Sequence, residues 1–260
     1  MEVRLDGKVG LVTGATQGVG AAIAEVAARS GASGLFLTGR DALRGKRAAE
    51  RIEAAGASAA FVAAELSDPA APGRLVEMCL AGFGRIDFLV NAAGLTDRAS
   101  FLDADLDVWT RLFDVNARAP FFLMQAAIRA MRARGEGGAI VNVLSMNAHC
   151  GTPELAVYSA TKGALSTLTR NAANAHRHDR IKVNGIMMGW VATDGEKVMQ
   201  AETLGRGPGW IAEAEARLPF RRLVAVEEVA NLAVFLLSDA SGPMTGALVD
   251  QEQWVVGANG

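Results

Sequence analysis

The feature that most constrains the fold is a regular alternation of short apolar segments with longer amphipathic ones. The first apolar run, residues 8–13, ends in a glycine-rich turn. After it, Val19, Ile23, Val26 and Ala27 have the one-sided spacing of a helix packed on a sheet. Because the alternation recurs to the end of the chain, it predicts right-handed crossovers and a parallel sheet.

The alternation predicts about seven strands, separated by helices that cover both faces of the sheet. Strands are expected at 8–13, 33–38, 58–63, 86–91, 139–144, 181–186 and 247–250, and helices at about 41–55, 68–81, 105–115, 120–134 and through Tyr158 to 176. Residues 190–219 break the rhythm and predict short helices on a mobile substrate lid. The sequence therefore predicts a single-domain, doubly wound Rossmann fold over residues 1–260.

Composition and charge exclude several classes of protein. No apolar stretch is long enough to span a membrane, and residues 1–6 carry charges where the apolar region of a signal peptide would begin, which predicts a soluble cytoplasmic protein. A formal charge of −2 without a basic run argues against a nucleic-acid partner. The two cysteines, Cys79 and Cys150, lie in no disulfide or zinc spacing, so no metal is expected.

The glycine-rich turn at residues 13–20 has the spacing that a dinucleotide site requires. Gly14 would permit the tight turn, Gly18 would let the backbone approach a pyrophosphate, and Gly20 would let the helix pack closely. A glycine-rich turn alone is weak evidence, because it can be a turn and nothing more. Its position between the first strand and the first helix favours the dinucleotide site.

The end of the second predicted strand bears on the choice of cofactor. Gly39 occupies the position where an acid commonly binds the adenosine ribose, and the guanidinium of Arg40 could hold a 2′-phosphate. This pattern favours NADP(H) over NAD(H). Asp41 weakens the electrostatic case, and Arg40 could equally be a solvated residue at a helix start.

Tyr158, the only tyrosine, is followed four residues later by Lys162. On a helix the two side chains share one face. A free phenol has a pKa of about 10, and a nearby cation would lower that value and make Tyr158 a better proton carrier. Taken alone, the pair could also be an exposed contact on an ordinary amphipathic helix.

Together, the motifs resemble the short-chain dehydrogenase/reductase family over essentially the whole chain. The resemblance rests on Thr-Gly-x-x-x-Gly-x-Gly at 13–20, Asn-Ala-Ala-Gly at 91–94, Asn116, Ser145 and Tyr158-x-x-x-Lys162. It implies an NAD(P)-dependent oxidoreductase acting on a carbonyl or secondary alcohol. Tyr158 would be the general acid/base, Lys162 would hold the nicotinamide ribose and lower the tyrosine pKa, Ser145 would orient the substrate oxygen, and Asn116 would support a water relay.

The resemblance also implies a set of cofactor contacts. Besides Tyr158 and Lys162, the expected residues are Gly14, Thr16, Gln17, Gly18, Val19, Gly20, Arg40, Glu65, Leu66, Asn91, Ala92, Ala93, Gly94, Gly189, Val191 and Thr193. The chain departs from the family pattern at three places: Glu65 replaces the usual Asp, Met188-Gly189 replaces Pro-Gly, and Gln251-Glu252 replaces Gly-Gly. These departures bear on cofactor affinity and pocket shape, not on the four catalytic positions.

The substrate is less constrained by the sequence. Asn147, His149 and Trp190 are predicted to line the substrate pocket, although His149 could equally be a loop residue without a role. Glu154, Asp97 and Asp194 would add polarity to the rim. A sugar or polyol is the first expectation, a 3-oxoacyl thioester or another ketone the second, and a non-catalytic dinucleotide-binding sensor or scaffold the alternative of another class.

The helix after Pro120 predicts that the chain associates with further copies of itself. Phe121 and Phe122 begin a segment that is apolar around most of its circumference, whereas a helix lying on a sheet needs only one apolar face. Its outer face and that of the Tyr158 helix are predicted to pack on a second subunit, as a homodimer or homotetramer, and residues 253–256 could seal another contact.

Overall fold

The computed structural model describes residues 2–257, so the predicted domain limits, 1 and 260, lie outside the described residues. Its centre is one seven-stranded sheet in which every recorded strand pairing is parallel, in the order β3-β2-β1-β4-β5-β6-β7. The strands are β1 Val9–Thr13, β2 Gly34–Gly39, β3 Ser58–Ala63, β4 Phe88–Asn91, β5 Gly138–Val143, β6 Ile181–Met188 and β7 Leu248–Gln251. The predicted Rossmann fold is confirmed.

Helices cover both faces of this sheet. They are α1 Gly18–Arg29, α2 Ala42–Ala54, α3 Ala71–Phe83, α4 Leu106–Phe113, α5 Ala119–Arg134, α6 Ala156–His176, α7 Asp194–Val198, α8 Trp210–Arg217 and α9 Val226–Leu237. Side chains of α1, α2 and α9 form one apolar core against the sheet, and those of α3, α5 and α6 form the other. The central strands are therefore buried on both faces and have continuous apolar sequences.

The strand order reverses beside β1, which pairs with β2 on one side and β4 on the other. The chain runs outward through β2 and β3, then returns to start the other half of the sheet at β4. In sheets of this kind the loops diverge at the carboxyl ends of the two central strands and leave a crevice. The fold therefore opens a site beside Thr13 and Asn91, the last residues of β1 and β4.

The two helices predicted at 105–115 and 120–134 are joined almost without interruption. A single π-helical turn, Asp114–Arg118, links α4 to α5. Such turns insert one extra residue into a helix and are frequent at functional sites. This turn carries Asn116, whose side chain is fully buried.

The segment at 190–219 folds into α7, a π-helical turn at Met199–Thr203, and α8. It has a small apolar cluster of its own, in which the rings of Trp190 and Trp210 stack with centroids 5.5 Å apart. The predicted short helices are therefore present. Within residues 2–257, no helix is long and apolar enough to cross a membrane.

Candidate active site

A cavity of about 730 Å³ lies at the carboxyl ends of the strands, beside the point where the strand order reverses. Its wall extends from the glycine-rich turn after β1, past the ends of β2 and β4, to Tyr158 on α6. That volume lies within the range of pockets that enclose small molecules and cofactors. One cavity thus joins the two sequence motifs.

The glycine turn has the shape that a dinucleotide pyrophosphate requires. Gly14 and Gly18 have φ values of +65° and +57°, and a Cβ at Gly20 would lie 2.4 Å from the carbonyl oxygen of Gly14. The turn leads into α1, whose N-cap residue Gln17 makes no capping hydrogen bond with its side chain. Because the first N–H groups of a helix attract anions, this end of the cavity fits the diphosphate of a nicotinamide dinucleotide.

The opposite wall of the turn is formed by the end of β2. A Cβ at Gly39 would lie 2.6 Å from Cγ2 of Thr16, so there is little room for an acidic side chain at that position. Arg40 is exposed and lines the cavity. Asp41 caps α2 by accepting a hydrogen bond from the backbone of Arg44, and its carboxylate also lies 3.3 Å from Nε of Arg44.

Tyr158 and Lys162 lie at the other end of the cavity, on the inner face of α6. Both are buried, with relative exposures of 6% and 4%. The ammonium of Lys162 donates a hydrogen bond of 2.8 Å to the backbone carbonyl of Val143 at the end of β5, and it lies 5.8 Å from the centre of the Tyr158 ring. The exposed surface pair that the four-residue spacing also allowed is thereby excluded.

Burial dominates the ionisation of this pair. It raises the pKa of Tyr158 to about 12. Of the smaller contributions, the hydrogen bond with the Ser145 side chain lowers this pKa, the charge of Glu196 raises it and the charge of Arg98 lowers it. Burial also lowers the pKa of Lys162 from 10.5 to about 8. The expectation that Lys162 lowers the pKa of Tyr158 is therefore not met, because loss of hydration outweighs the charges around the phenol.

Asn116 lies behind this end of the cavity and not in its wall. Its side-chain oxygen accepts a hydrogen bond of 2.8 Å from the amide of Leu95, and its Nδ2 donates to the carbonyl of Leu95 and to Oγ1 of Thr161. The Asn116 side chain thus ties the π-helical turn to the loop after β4 and to α6. A Cβ at Gly94 would be 3.5 Å from the Asn116 oxygen and 3.6 Å from Nζ of Lys162, so these groups surround one point.

Most of the residues predicted from the sequence line the cavity. The set comprises Gly14, Thr16, Gln17, Gly18, Val19, Gly20, Arg40, Glu65, Leu66, Ala92, Ala93, Gly94, Ser145, Asn147, Tyr158, Lys162, Gly189, Trp190, Val191 and Thr193. Asn91, expected to contact the cofactor, is instead buried within the sheet, where its Nδ2 donates to Asn142 on β5. Asn91 and Asn142 are paired in register on neighbouring strands, a contact that periodicity within one strand could not indicate.

Three residues expected at the polar rim are engaged elsewhere. The His149 ring lies 3.1 Å from the Asp250 carboxylate, and His149 is not among the described residues that line the cavity. Asp97 pairs with Arg111, and Asp194 with Lys197. Loop residues can turn toward the cavity or toward a neighbouring element, and their order in the chain does not determine which.

The comparisons with known proteins agree with this geometry. A family model described as enoyl-(acyl carrier protein) reductase matches residues 14–251. A sorbitol dehydrogenase of Cereibacter sphaeroides is 36% identical over 265 residues, covering 99% of both chains. An L-rhamnose 1-dehydrogenase (NAD(P)(+)) of Sphingomonas sp. is 35% identical over 253 residues, covering 96% of this chain and 98% of the relative. The solved L-sorbose reductase of Gluconobacter frateurii, complexed with NADPH and L-sorbose, superimposes with a TM-score of 0.93 at 29% identity over 100% of both chains.

The chain belongs to the short-chain dehydrogenase/reductase family. It is an NAD(P)-dependent oxidoreductase, as the predicted tetrad and glycine turn implied. In this short-chain dehydrogenase/reductase one cavity extends from the glycine turn, past Gly94 and Tyr158, to the segment at 190–219.

Sequence reasoning missed several polar residues of the cavity wall. They are Arg98 and Thr152 from the loops after β4 and β5, and Glu196, Gln200 and Arg206 from the segment at 190–219. A position in the loop that follows a strand was the available signal for Arg98, whereas Glu252 after β7 lines the cavity and was named as a departure from the family pattern. Glu252 replaces a family glycine, and its carboxylate fills the space beside Gly189, where a Cβ would lie 2.5 Å from it.

Proposed function

We propose that this enzyme transfers a hydride between a nicotinamide cofactor and a carbonyl or secondary alcohol of a sugar or polyol. The observation that carries the proposal is the position of Tyr158, which is buried beside Ser145 in the wall of the cavity that the glycine turn also lines. A bound nicotinamide ring would donate or accept the hydride there. A side chain of the protein would transfer the proton of the reaction.

Tyr158 is proposed to carry that proton. Because its pKa is raised by burial, the phenol is protonated at neutral pH and can donate to the oxygen of a carbonyl as it becomes an alcohol. Ser145 would hold that oxygen beside the phenol. The ammonium of Lys162, fixed by the Val143 carbonyl, would bind the ribose next to the nicotinamide and stabilise negative charge that develops on Tyr158.

The polarity of the wall supports a substrate with several hydroxyl groups. Asn147, Glu154 and Glu196 offer oxygen acceptors around the space beside Tyr158, and Gln200 adds a side-chain oxygen that has no hydrogen-bond partner among the described residues. A buried acceptor such as the Gln200 oxygen requires a donor, and the hydroxyls of a sugar would supply donors to it and to the other acceptors. Relatives of this chain are named for sorbitol, L-rhamnose and L-sorbose, which supports the same class.

The test is turnover of a panel of alditols, sugars, 3-oxoacyl thioesters and apolar ketones, followed through cofactor absorbance, by wild-type enzyme and by Tyr158→Phe. We expect turnover of polyhydroxylated substrates and a loss of about 10²- to 10⁴-fold in kcat on removing the phenol oxygen, with cofactor binding retained. Activity confined to thioesters or apolar ketones would refute the sugar or polyol class. Equal turnover by wild type and variant would refute Tyr158 as the proton carrier. Cofactor binding without turnover of any compound would favour a non-catalytic dinucleotide-binding role.

NADP(H) is proposed as the preferred cofactor. Gly39 leaves no carboxylate for a ribose 2′-hydroxyl, and Asp41, the acid that weakened the case, is committed to Arg44 and to the start of α2. The guanidinium of Arg40 is thus available at the adenosine end of the cavity. Relatives bind either cofactor: one is named for NAD(P)(+), and another was solved with NADPH.

Arg40→Gln tests the cofactor preference against Arg47→Gln, which removes a charge from an exposed position on α2 outside the cavity wall. The first change should raise the KM for NADP by about 10-fold or more and leave the KM for NAD nearly unchanged. The second should change neither. A wild-type preference for NAD would refute the assignment of Arg40.

A homodimer or homotetramer is proposed from the exposed apolar side chains on α4 and α5. Leu106 and Trp109 on α4 are 81% and 47% exposed, and Phe121 and Phe122 on α5 are 40% and 42% exposed. Exposed apolar groups so close together are typical of subunit contacts. Sedimentation at micromolar concentration should give a mass of two or four chains, and Phe122→Asp should lower it; a monomeric wild type would refute the proposal.

The lid at 190–219 is also proposed, since Trp190, Thr193, Glu196, Gln200 and Arg206 all face the cavity from this one segment. A cleavage site engineered in the Gly205–Gly209 stretch should be cut more slowly when cofactor and substrate are bound than when they are absent. Equal cleavage rates would refute a closing lid. The cytoplasmic location remains a prediction from the sequence.

A further inference from the structure

Arg98 is a cavity-lining cation to which the proposed reaction gives no role. It follows β4 in the loop beside Tyr158, and its side chain is half-buried. Among the described residues its guanidinium makes one hydrogen bond, from Nη1 to the backbone carbonyl of Thr96 at 2.9 Å. Its Nε is buried and has no hydrogen-bond partner in the described part of the chain.

No carboxylate of the described residues forms an ion pair with Arg98, although acids surround it. The adjacent Asp97 is paired with Arg111 at 2.7 Å. Glu196 accepts hydrogen bonds from Nε1 of Trp190 and Nε2 of Gln200. A guanidinium carries five N–H donors and is costly to desolvate without an anion. The fold therefore holds a cation at the cavity wall and directs the neighbouring carboxylates to other partners.

The charge of Arg98 acts at the reaction centre. It lowers the pKa of the Tyr158 phenol, whereas the charge of Glu196 raises it. Arg98 and Glu196 line the same cavity as Tyr158, so a cation and an acid both border the space that a substrate would enter. Arg40, by contrast, lies at the adenosine end of the same cavity.

We propose that Arg98 binds a carboxylate of the substrate, so that the preferred substrate is a sugar acid, a polyhydroxy or keto-polyhydroxy carboxylate, and not a neutral polyol. A guanidinium and a carboxylate match in geometry and can form two parallel hydrogen bonds. Glu154, Glu196 and Glu252 would repel a second carboxylate but accept hydrogen bonds from hydroxyl groups. A polyhydroxylated substrate with one terminal carboxylate would match both the guanidinium of Arg98 and the three glutamates.

This inference rests on the proposed oxidoreductase function and deepens it, so its test separates the two. Three matched pairs of compounds differ only in a terminal carboxylate or hydroxymethyl group: D-gluconate and D-sorbitol, D-mannonate and D-mannitol, D-galactonate and galactitol. Oxidation of each is measured with NADP and NAD. Binding of each to the cofactor-saturated enzyme is measured in parallel by tryptophan fluorescence, because Trp190 lines the cavity.

Wild-type enzyme should bind and oxidise at least one acid better than its matched polyol. Arg98→Gln should lower kcat/KM and affinity for that acid by about 10- to 100-fold, the range for loss of a charge-assisted hydrogen bond. The same variant should lower the values for the matched polyol by a smaller factor than those for the acid, because the polyol has no carboxylate to lose its partner, and Arg98→Lys should recover part of the loss for the acid. Arg47→Gln, which removes an exposed charge outside the cavity, should change none of these values.

The proposal is overturned if the wild type shows no preference for the acids in either turnover or binding, or if Arg98→Gln weakens acid and polyol equally. Binding of the acids that depends on Arg98, without any turnover, would support the carboxylate site and count against the proposed reaction. Turnover of neutral polyols alone, unchanged in Arg98→Gln, would support the reaction and count against the carboxylate site.

Discussion

Lys162 offers a prediction in which stability and function oppose each other. Its ammonium is buried at the base of the cavity, where burial lowers its pKa from 10.5 to about 8. The difference between these two pKa values means that keeping Lys162 charged in the fold lowers the free energy of unfolding at neutral pH by about 3 kcal/mol. Lys162→Met removes this cost, but it also leaves the Val143 carbonyl without its donor, at a cost of about 1–2 kcal/mol. We expect the variant to be more stable by about 1–2 kcal/mol at pH 7 and almost inactive.

The pH dependence isolates the ionisation from the other effects of the substitution. Between pH 8 and 10.5 the unfolded wild-type chain still binds the Lys162 proton, whereas the folded chain has released it. The free energy of unfolding of the wild type must therefore rise with pH in this window, relative to the variant. Between pH 7 and pH 10 the free energy of unfolding of the wild type should rise by roughly 2–3 kcal/mol relative to that of Lys162→Met. The stabilising effect of the substitution should therefore have disappeared by pH 10.

The assay is urea unfolding followed by tryptophan fluorescence at pH 7, 8, 9 and 10, at one protein concentration, for wild type, Lys162→Met and Lys46→Met. Lys46 is exposed on α2, so its substitution should change stability by less than about 0.5 kcal/mol at every pH. A difference between wild type and Lys162→Met that stays constant from pH 7 to 10 would show that the lysine is not a charged, poorly hydrated group at neutral pH.

Two further substitutions probe the frame of the site. Gly20→Ala places a Cβ 2.4 Å from the Gly14 carbonyl oxygen. It should lower the free energy of unfolding in urea by about 1–3 kcal/mol and the cofactor affinity, measured by titration, by at least 10-fold. The control is Gly73→Ala on α3, where nothing lies within 4 Å of the added Cβ; it should be neutral or stabilising by about 0.5–1 kcal/mol, and equal effects of the two substitutions would refute the steric argument. Asn116→Ala leaves both backbone groups of Leu95 without partners, so it should lower the free energy of unfolding by about 2–4 kcal/mol and make the loop after β4 exchange its amides faster, whereas unchanged exchange would contradict this role.

Much of the fold could be predicted because it depends on local patterns. The seven strands are confirmed near their predicted positions, since each is a short, largely apolar run between turns, and the central ones are buried on both faces of a parallel sheet. The π-helical turn between α4 and α5 was not predicted. It follows from the tertiary position of Asn116, which must reach the loop after β4, and the helical spacing on either side does not indicate it.

The catalytic end of the cavity was predicted by spacing, but its ionisation was predicted with the wrong sign. Tyr158 and Lys162 are four residues apart, and the helix brings them to one face as expected. The sequence suggested a lowered tyrosine pKa, and the structure has it raised to about 12. Burial is the reason, and burial depends on how α6 packs against β5 and the loop after β4.

By itself, the sequence determined the alternation of strands and helices, the glycine turn and the identity and order of the proposed catalytic groups, because these can be recognised in short stretches of the chain. Only the tertiary structure decided which polar side chains face the cavity. It turns His149 toward Asp250, and within residues 2–257 it leaves the Arg98 guanidinium at the cavity wall without an acid as ion-pair partner. Such choices depend on contacts between residues far apart in the chain, and on which carboxylates are already taken by other partners.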